Sequence, residues 1–343
     1  MGRDLLTRLA DGPVLGDGGY LLELERRGWV RAGPFTPEVS IRHPEALLEL
    51  HREFRRSGAE ILQALTFYAS EEKLATVGLA GRVDDINRAA VQVARQAAAE
   101  GPSAGQSDRP LVAGNLSLTW AYEPDDRAAA DRVRRLFDRQ LEVQMEEGID
   151  LIIGETFSWL GEAQIALERA RTTGLPTVIT MSFESPDPHA YEGDSPADAA
   201  RRLVDAGADV VGVNCLRDPE RTLPVLREMR AAVPDAHLAG QPVAFRVSDD
   251  QPDYTSYPSF PFGLDPVTLT RSEMGEWATA AREAGVGLIG SCCGSAPHHV
   301  RAMARALGKL PPEDQSWRSA TGRPMSAYEY YGHTETEAPA PAR

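Results

Sequence analysis

Eight short apolar runs punctuate this chain, and amphipathic stretches separate them. The runs are "VLGDGG" (14–19), "AEILQAL" (59–65), "LVAGNLS" (111–117), "DLIIGET" (150–156), "PTVITMS" (176–182), "VVGVNC" (210–215), "LAGQPV" (238–243) and "GLIGSC" (287–292). Between them lie stretches such as "PEALLELHREFRRSG" (44–58), "VDDINRAAVQVARQAAAEG" (83–101), "LGEAQIALERARTTG" (160–174) and "PADAARRLVDAG" (196–207). Their apolar residues recur at three and four and glycine closes them, the pattern of helices that bury one face. Strands alternating with helices imply a parallel sheet, and eight such units predict an α/β chain folded as one (β/α)8 TIM-type barrel. A doubly wound open sheet is the competing arrangement, but the first turn lacks the G-x-G-x-x-G that would argue for it.

The barrel is expected over residues 1–310, with a short C-terminal extension over 311–332 and a disordered tail, "HTETEAPAPAR", over 333–343. Two segments rich in Pro, Asp, Ser and aromatics, 183–196 and 245–266, follow strand ends. In a barrel they lie over the C-terminal mouth, where loops carry specificity. The formal net charge of −15 argues against nucleic acid or anionic membrane as a partner. The apolar runs are strand-length, too short to span a bilayer, and "MGRDLLTRLADG" lacks a secretory apolar core. A cytoplasmic protein is expected.

Cysteine is rare here: Cys215 ends the sixth run, and Cys292 and Cys293 end the eighth. In a parallel barrel both ends lie on the catalytic face, one strand apart, so three sulfurs can converge. A disulfide between the neighbours is disfavoured, because consecutive Cα atoms lie about 3.8 Å apart and disulfides want about 4.4–6.8 Å. Two readings remain: small buried core residues, or three thiolates around zinc with a fourth position open, the chain turning sharply at Gly294. Zinc would deprotonate a thiol substrate bound at that position. His298 and His299 follow the pair, at the expected start of the last helix, and are candidates for a fourth ligand.

Several stretches carry a resemblance: "GDGGYLLELERRGWVRAGPFTPE" (16–38), "HPEALLELHREFRRSGAEILQALTFYASEEKL" (43–74), "GVNC", "FPFGLDP" (260–266) and "IGSCCGSAPHHVRAMA" (289–304). From about residue 12 to about residue 307 the chain resembles the zinc-dependent homocysteine S-methyltransferases, most closely their betaine-dependent branch. The resemblance implies a barrel that binds zinc through Cys215, Cys292 and Cys293. It implies methyl transfer from an onium donor to the sulfur of homocysteine, giving methionine, without cobalamin. Asp17, with Gly18 beside it, and Glu155 match residues that hold homocysteine, the carboxylates receiving its ammonium; such a group needs paired acceptors. Asn214 matches a residue next to the first zinc ligand.

Phe67 and Tyr68 match the lining of the donor pocket, where an onium is held on aromatic faces. Phe35 stands where the betaine enzymes carry tryptophan, and Thr156 where they carry tyrosine. The acceptor is therefore better specified than the donor. S-methylmethionine or S-adenosylmethionine is the alternative donor, and a non-catalytic zinc barrel binding a thiol or onium is the alternative function. Trp120, Tyr122, Trp159, Tyr191 and Phe260 are available to rebuild an aromatic wall. A homo-oligomer is compatible with the short extension.

Overall fold

In a computed structural model, residues 3–31 and 37–311 are described. Eight parallel strands follow the predicted runs: β1 (Val14–Leu15), β2 (Ile61–Gln63), β3 (Leu111–Ser117), β4 (Leu151–Phe157), β5 (Thr177–Met181), β6 (Val210–Asn214), β7 (His237–Gln241) and β8 (Leu288–Ile289). Their order, β1-β8-β7-β6-β5-β4-β3-β2, is that of a barrel. The four quoted amphipathic stretches form helices Pro44–Arg56, Val83–Ala99, Leu160–Arg171 and Pro196–Asp205. The extension and tail expected over 311–332 and 333–343 lie, from residue 312 onward, outside the described residues. Among the described residues no helix is long and apolar enough to cross a membrane.

Strand parity separates two cores. Val14, Ile61, Leu111, Ala113, Leu151, Ile153, Val178, Val210, Ala239 and Leu288 fill the barrel interior, closed from below by Leu5 and Leu9 of helix Leu5–Asp11. Leu62, Val112, Ile152, Ile179, Val211 and Leu238 point outward and pack with the surrounding helices. Because side chains alternate along a strand, the same parity assigns the upper inward positions to Gln63, Asn115, Glu155, Thr180, Asn214 and Gln241. The barrel is thus apolar at its base and polar at its mouth.

The ring closes between β1 and β2, where carboxylates supplement the backbone. Glu60 N–H donates to the Leu15 carbonyl at 2.8 Å. Leu15 N–H donates to Glu60 Oε2 at 2.9 Å, and Gln63 N–H donates to Asp17 Oδ2 at 2.7 Å. Lys309, just beyond the last helix, places Nζ 2.6 Å from Glu60 Oε2. Glu60 is buried, so removing its carboxylate strands Lys309 and the Leu15 N–H together. Glu60→Ala is expected to destabilise the protein by about 3–5 kcal/mol, the usual cost of halving a buried pair, read from the midpoint of urea unfolding. A Lys309→Met, Glu60→Gln double variant recovers part of that loss.

Candidate active site at the barrel mouth

A cleft of about 580 Å³ opens at the C-terminal ends of the strands. Asp17, Gly18, Gln63, Phe67, Glu155, Gln241, Ser291 and all three cysteines are among the residues that line it. Cys215 leaves β6 with φ 60°, followed by Leu216 at φ 55°. Such left-handed conformations are costly for residues with a Cβ and collect at functional sites. Here the turn puts Cys215 Sγ 3.9 Å from Cys293 Sγ, with Cys292 Sγ 4.0 Å from Cys293 Sγ. A tetrahedral ion with sulfur at about 2.3 Å requires neighbouring sulfurs about 3.8 Å apart. The donor set and its spacing therefore fit a metal ion, and all three ligand atoms lie within 4.8 Å of one another.

Two glycines make this approach possible. Gly294 has φ +80° and lies so close to Phe245 that a Cβ would stand 2.5 Å from the ring. A Cβ on Gly19 would stand 2.7 Å from the Cys292 carbonyl. The loop 245–266 supplies Phe245, Val247, Tyr254 and Leu264 to an apolar cluster that also takes in Leu22, Leu216, Val243 and the three cysteines. The sulfurs are half-buried, backed by this cluster on one side and facing the cleft on the other. Hydrogen bonds from the thiols of Cys215 and Cys292 hold the Cys293 thiol well below its ordinary range.

The two carboxylates face the same cleft. Glu155 lies inside β4 rather than at its end, beside a shift of register between Gly154 and Phe157 against β5. Irregularities of this kind re-aim side chains next to active sites. Its Oε1 accepts from Gln63 Nε2 at 2.6 Å and Asn115 Nδ2 at 2.7 Å, and its Oε2 from Asn214 Nδ2 at 3.0 Å. Asp17 Oδ2 accepts from Gln63 N–H and, at 2.5 Å, from the Tyr20 hydroxyl. Gln63 thus links both carboxylates. Burial pushes Asp17 up to about 6 and Glu155 up to about 7, while these donors pull each back down.

The sequence matches the homocysteine S-methyltransferase profile over residues 14–307. The chain belongs to the homocysteine S-methyltransferase family. It is 41% identical to the betaine–homocysteine S-methyltransferase 1 of Danio rerio, covering 91% of this chain and 78% of that one. It is 38% identical to an S-methylmethionine–homocysteine S-methyltransferase of Pongo abelii, covering 93% and 87%. The metallated homocysteine methyltransferase MmuM of Escherichia coli shares the fold, with a TM-score of 0.70 at 20% identity, over 87% of this chain and 98% of that one.

The residues expected on the donor side are more scattered. Phe67 lines the cleft, and Tyr68, at φ 61°, packs on it with ring centroids 4.3 Å apart. Lys73 Nζ lies 4.4 Å from the Tyr68 ring centroid and 3.7 Å from that of Trp120, so a cation already occupies the space between those faces. Thr156, at φ 63°, turns inward rather than forming a wall: its N–H donates to Asn214 Oδ1 and its hydroxyl accepts from Asn214 Nδ2. Tyr122, Trp159 and Tyr191 form a separate aromatic row, and Phe260 packs on Tyr254. Phe35 lies outside the described residues.

His298 and His299 begin helix Pro297–Ala306 and bond to each other, with His299 Nε2 also 2.9 Å from the Leu269 carbonyl. Among the described residues the group able to hold a metal comprises the three cysteines. Sequence reasoning missed Gln63, Tyr20, Gln241 and Ser291 as cleft residues. Strand parity from the apolar Ile61 and Ala239 was the signal available for Gln63 and Gln241.

Asn214 serves Glu155, Thr156 and the Thr180 hydroxyl, which donates to its Oδ1 at 2.8 Å. Asn214→Ala leaves these buried groups short of partners. A loss of about 2–3 kcal/mol of stability is expected, visible in thermal unfolding, together with a weaker apparent affinity for homocysteine in steady-state assays.

Proposed function

We propose that this family member carries out zinc-dependent methyl transfer from a small betaine-like onium donor to the sulfur of homocysteine, yielding methionine. The observation that carries the proposal is the convergence of Cys215, Cys292 and Cys293 with Asp17 and Glu155 on one cleft. Cys215, Cys292 and Cys293 would hold the ion, which when bound supplies a nucleophilic thiolate from the substrate thiol at neutral pH. Asp17 and Glu155 hold the α-ammonium, orienting homocysteine with its thiol toward the cysteines. Gln63 and Asn115 fix the carboxylate of Glu155 from one side and Asn214 from the other.

Alignment of sulfur, methyl carbon and leaving group can supply about 7–11 kcal/mol of the barrier. Charge is neutralised as thiolate meets onium, and the apolar cluster that backs the cysteines favours that loss of charge. The onium is placed by Phe67 and neighbouring aromatic faces. Thr156, tied to Asn214, adds no aromatic face to the donor side.

The proposal is tested by measuring methionine formed from homocysteine with glycine betaine, proline betaine, dimethylsulfoniopropionate or S-methylmethionine. A betaine-like donor is expected to yield methionine, on protein holding about one zinc per chain; Cys215→Ala abolishes both metal and product. No methionine from any donor overturns the reading.

The raised carboxyls set a pH dependence. A carboxyl pushed up by burial is ionised only above its raised value, and only the ionised form pairs with an ammonium. Asp17 (about 6) and Glu155 (about 7) therefore protonate as the solution is acidified. The KM for homocysteine is expected to rise about tenfold or more from about pH 8 to about pH 6, with the KM for the donor changing far less. A flat KM across that range contradicts the ammonium roles.

A further inference from the structure

Tyr20 stands three residues after Asp17 and lines the same cleft. Its hydroxyl is 2.5 Å from Asp17 Oδ2 and 2.9 Å from His51 Nδ1. The ring is wedged edge-on against Phe54, centroids 5.1 Å apart, and tilted against His51 at 4.8 Å. His51 is fully buried on helix Pro44–Arg56, and its Nε2 has no hydrogen-bond partner among the described residues. Nothing in the methyl-transfer scheme above uses either residue.

We propose that Tyr20, braced by His51, is a positioning residue that holds Asp17 as an ionised and oriented acceptor for the homocysteine ammonium. This rests on the role given to Asp17 above. The relay can run in two directions. In one, His51 Nδ1–H donates to Tyr20 Oη, Tyr20 donates to an ionised Asp17, and His51 Nε2 is a bare lone pair. In the other, a protonated Asp17 donates to Tyr20, Tyr20 donates to Nδ1, and the histidine proton sits on Nε2. The second direction leaves an N–H buried without an acceptor, the rarer defect in folded proteins. His51 therefore selects the first, in which Asp17 must be a carboxylate.

Other contacts agree. Gln63 N–H reaches the same Oδ2, and a backbone N–H can only donate. Tyr20 and Gln63 both donate to Oδ2, and the backbone N–H of Asp17 itself also favours the ionised carboxylate. Burial keeps His51 neutral, its pKa lowered to about 3, so the relay adds no competing positive charge beside the ammonium site. Phe54, which braces the Tyr20 ring, also contacts the position of Gly18, where a Cβ would stand 2.7 Å from Phe54. Ring, glycine and carboxylate are thus packed as one unit.

The test compares two methyl acceptors at saturating donor: homocysteine, and 4-mercaptobutanoate, the same thiol without the amino group. Tyr20→Phe keeps the ring contacts and removes only the hydroxyl. It is expected to lower kcat/KM for homocysteine about tenfold more than for 4-mercaptobutanoate, through KM, with zinc content and donor KM as in the wild type. His51→Phe, which removes Nδ1, shifts the ratio the same way by roughly threefold. Asp17→Asn collapses the preference for the amino thiol.

If Tyr20→Phe lowers both acceptors equally, or leaves the ratio at its wild-type value while Asp17→Asn collapses it, the positioning role is wrong and the reading of Asp17 stands. A wild-type ratio in Asp17→Asn overturns the reading of Asp17 and this inference with it.

Discussion

The β1–β2 seam is where fold and site become the same problem. Strands β1 and β2 are short, and their junction is stitched by Glu60 and Asp17 carboxylates accepting backbone N–H groups from the opposite strand. A side-chain acceptor can replace a ladder carbonyl because it satisfies the same buried donor. At the base of the seam Glu60 is neutralised by Lys309. At its top Asp17 is bonded, among the described residues, to neutral donors from Gln63, Tyr20 and its own backbone rather than to a cation. The molecule thus closes its barrel with one carboxylate that is paired and one that is left with capacity for a cation.

The same division recurs around the mouth. Inward positions change from apolar to polar over one step of the strand repeat, from Ile153 to Glu155, Ala113 to Asn115 and Ala239 to Gln241. Buried polar layers are costly unless each member is bonded; here Gln63, Asn115 and Asn214 donate to Glu155 and Thr180 donates to Asn214, while Asn115 Oδ1 and Gln241 Oε1 have no partner among the described residues. Strained backbone is concentrated at the same level, at Tyr68, Thr156, Cys215 and Leu216. A hydrogen-bonded polar ring and three cysteines backed by apolar side chains share one cleft.

Much of this was legible in the sequence. The alternation of apolar runs and amphipathic stretches set the strand order, because a parallel strand must be followed by a crossover and helices are the compact one. Cys215, Cys292 and Cys293 could be placed on one face from strand ends alone. The aromatic donor wall was not legible in the same way. Trp120 and Trp159 lie in different aromatic groups, and Lys73 fills the gap that a ligand cation was expected to share with Tyr68. A count of aromatic residues carries no information about which faces are already taken.

The sequence by itself determined the barrel and the placing of three cysteines on one face, because both follow from local period and from position along a strand, while Asp17 and Glu155 were singled out by the family resemblance. Tertiary structure alone decided how those groups are held. Gln63 meets Glu155 across 92 residues, Tyr20 meets His51 across 31, and Thr156 spends its hydroxyl on Asn214 across 58. Such pairings depend on which inward side chains the closed ring brings to the same height. Strand periodicity gives the direction of a side chain, whereas barrel closure gives its neighbour.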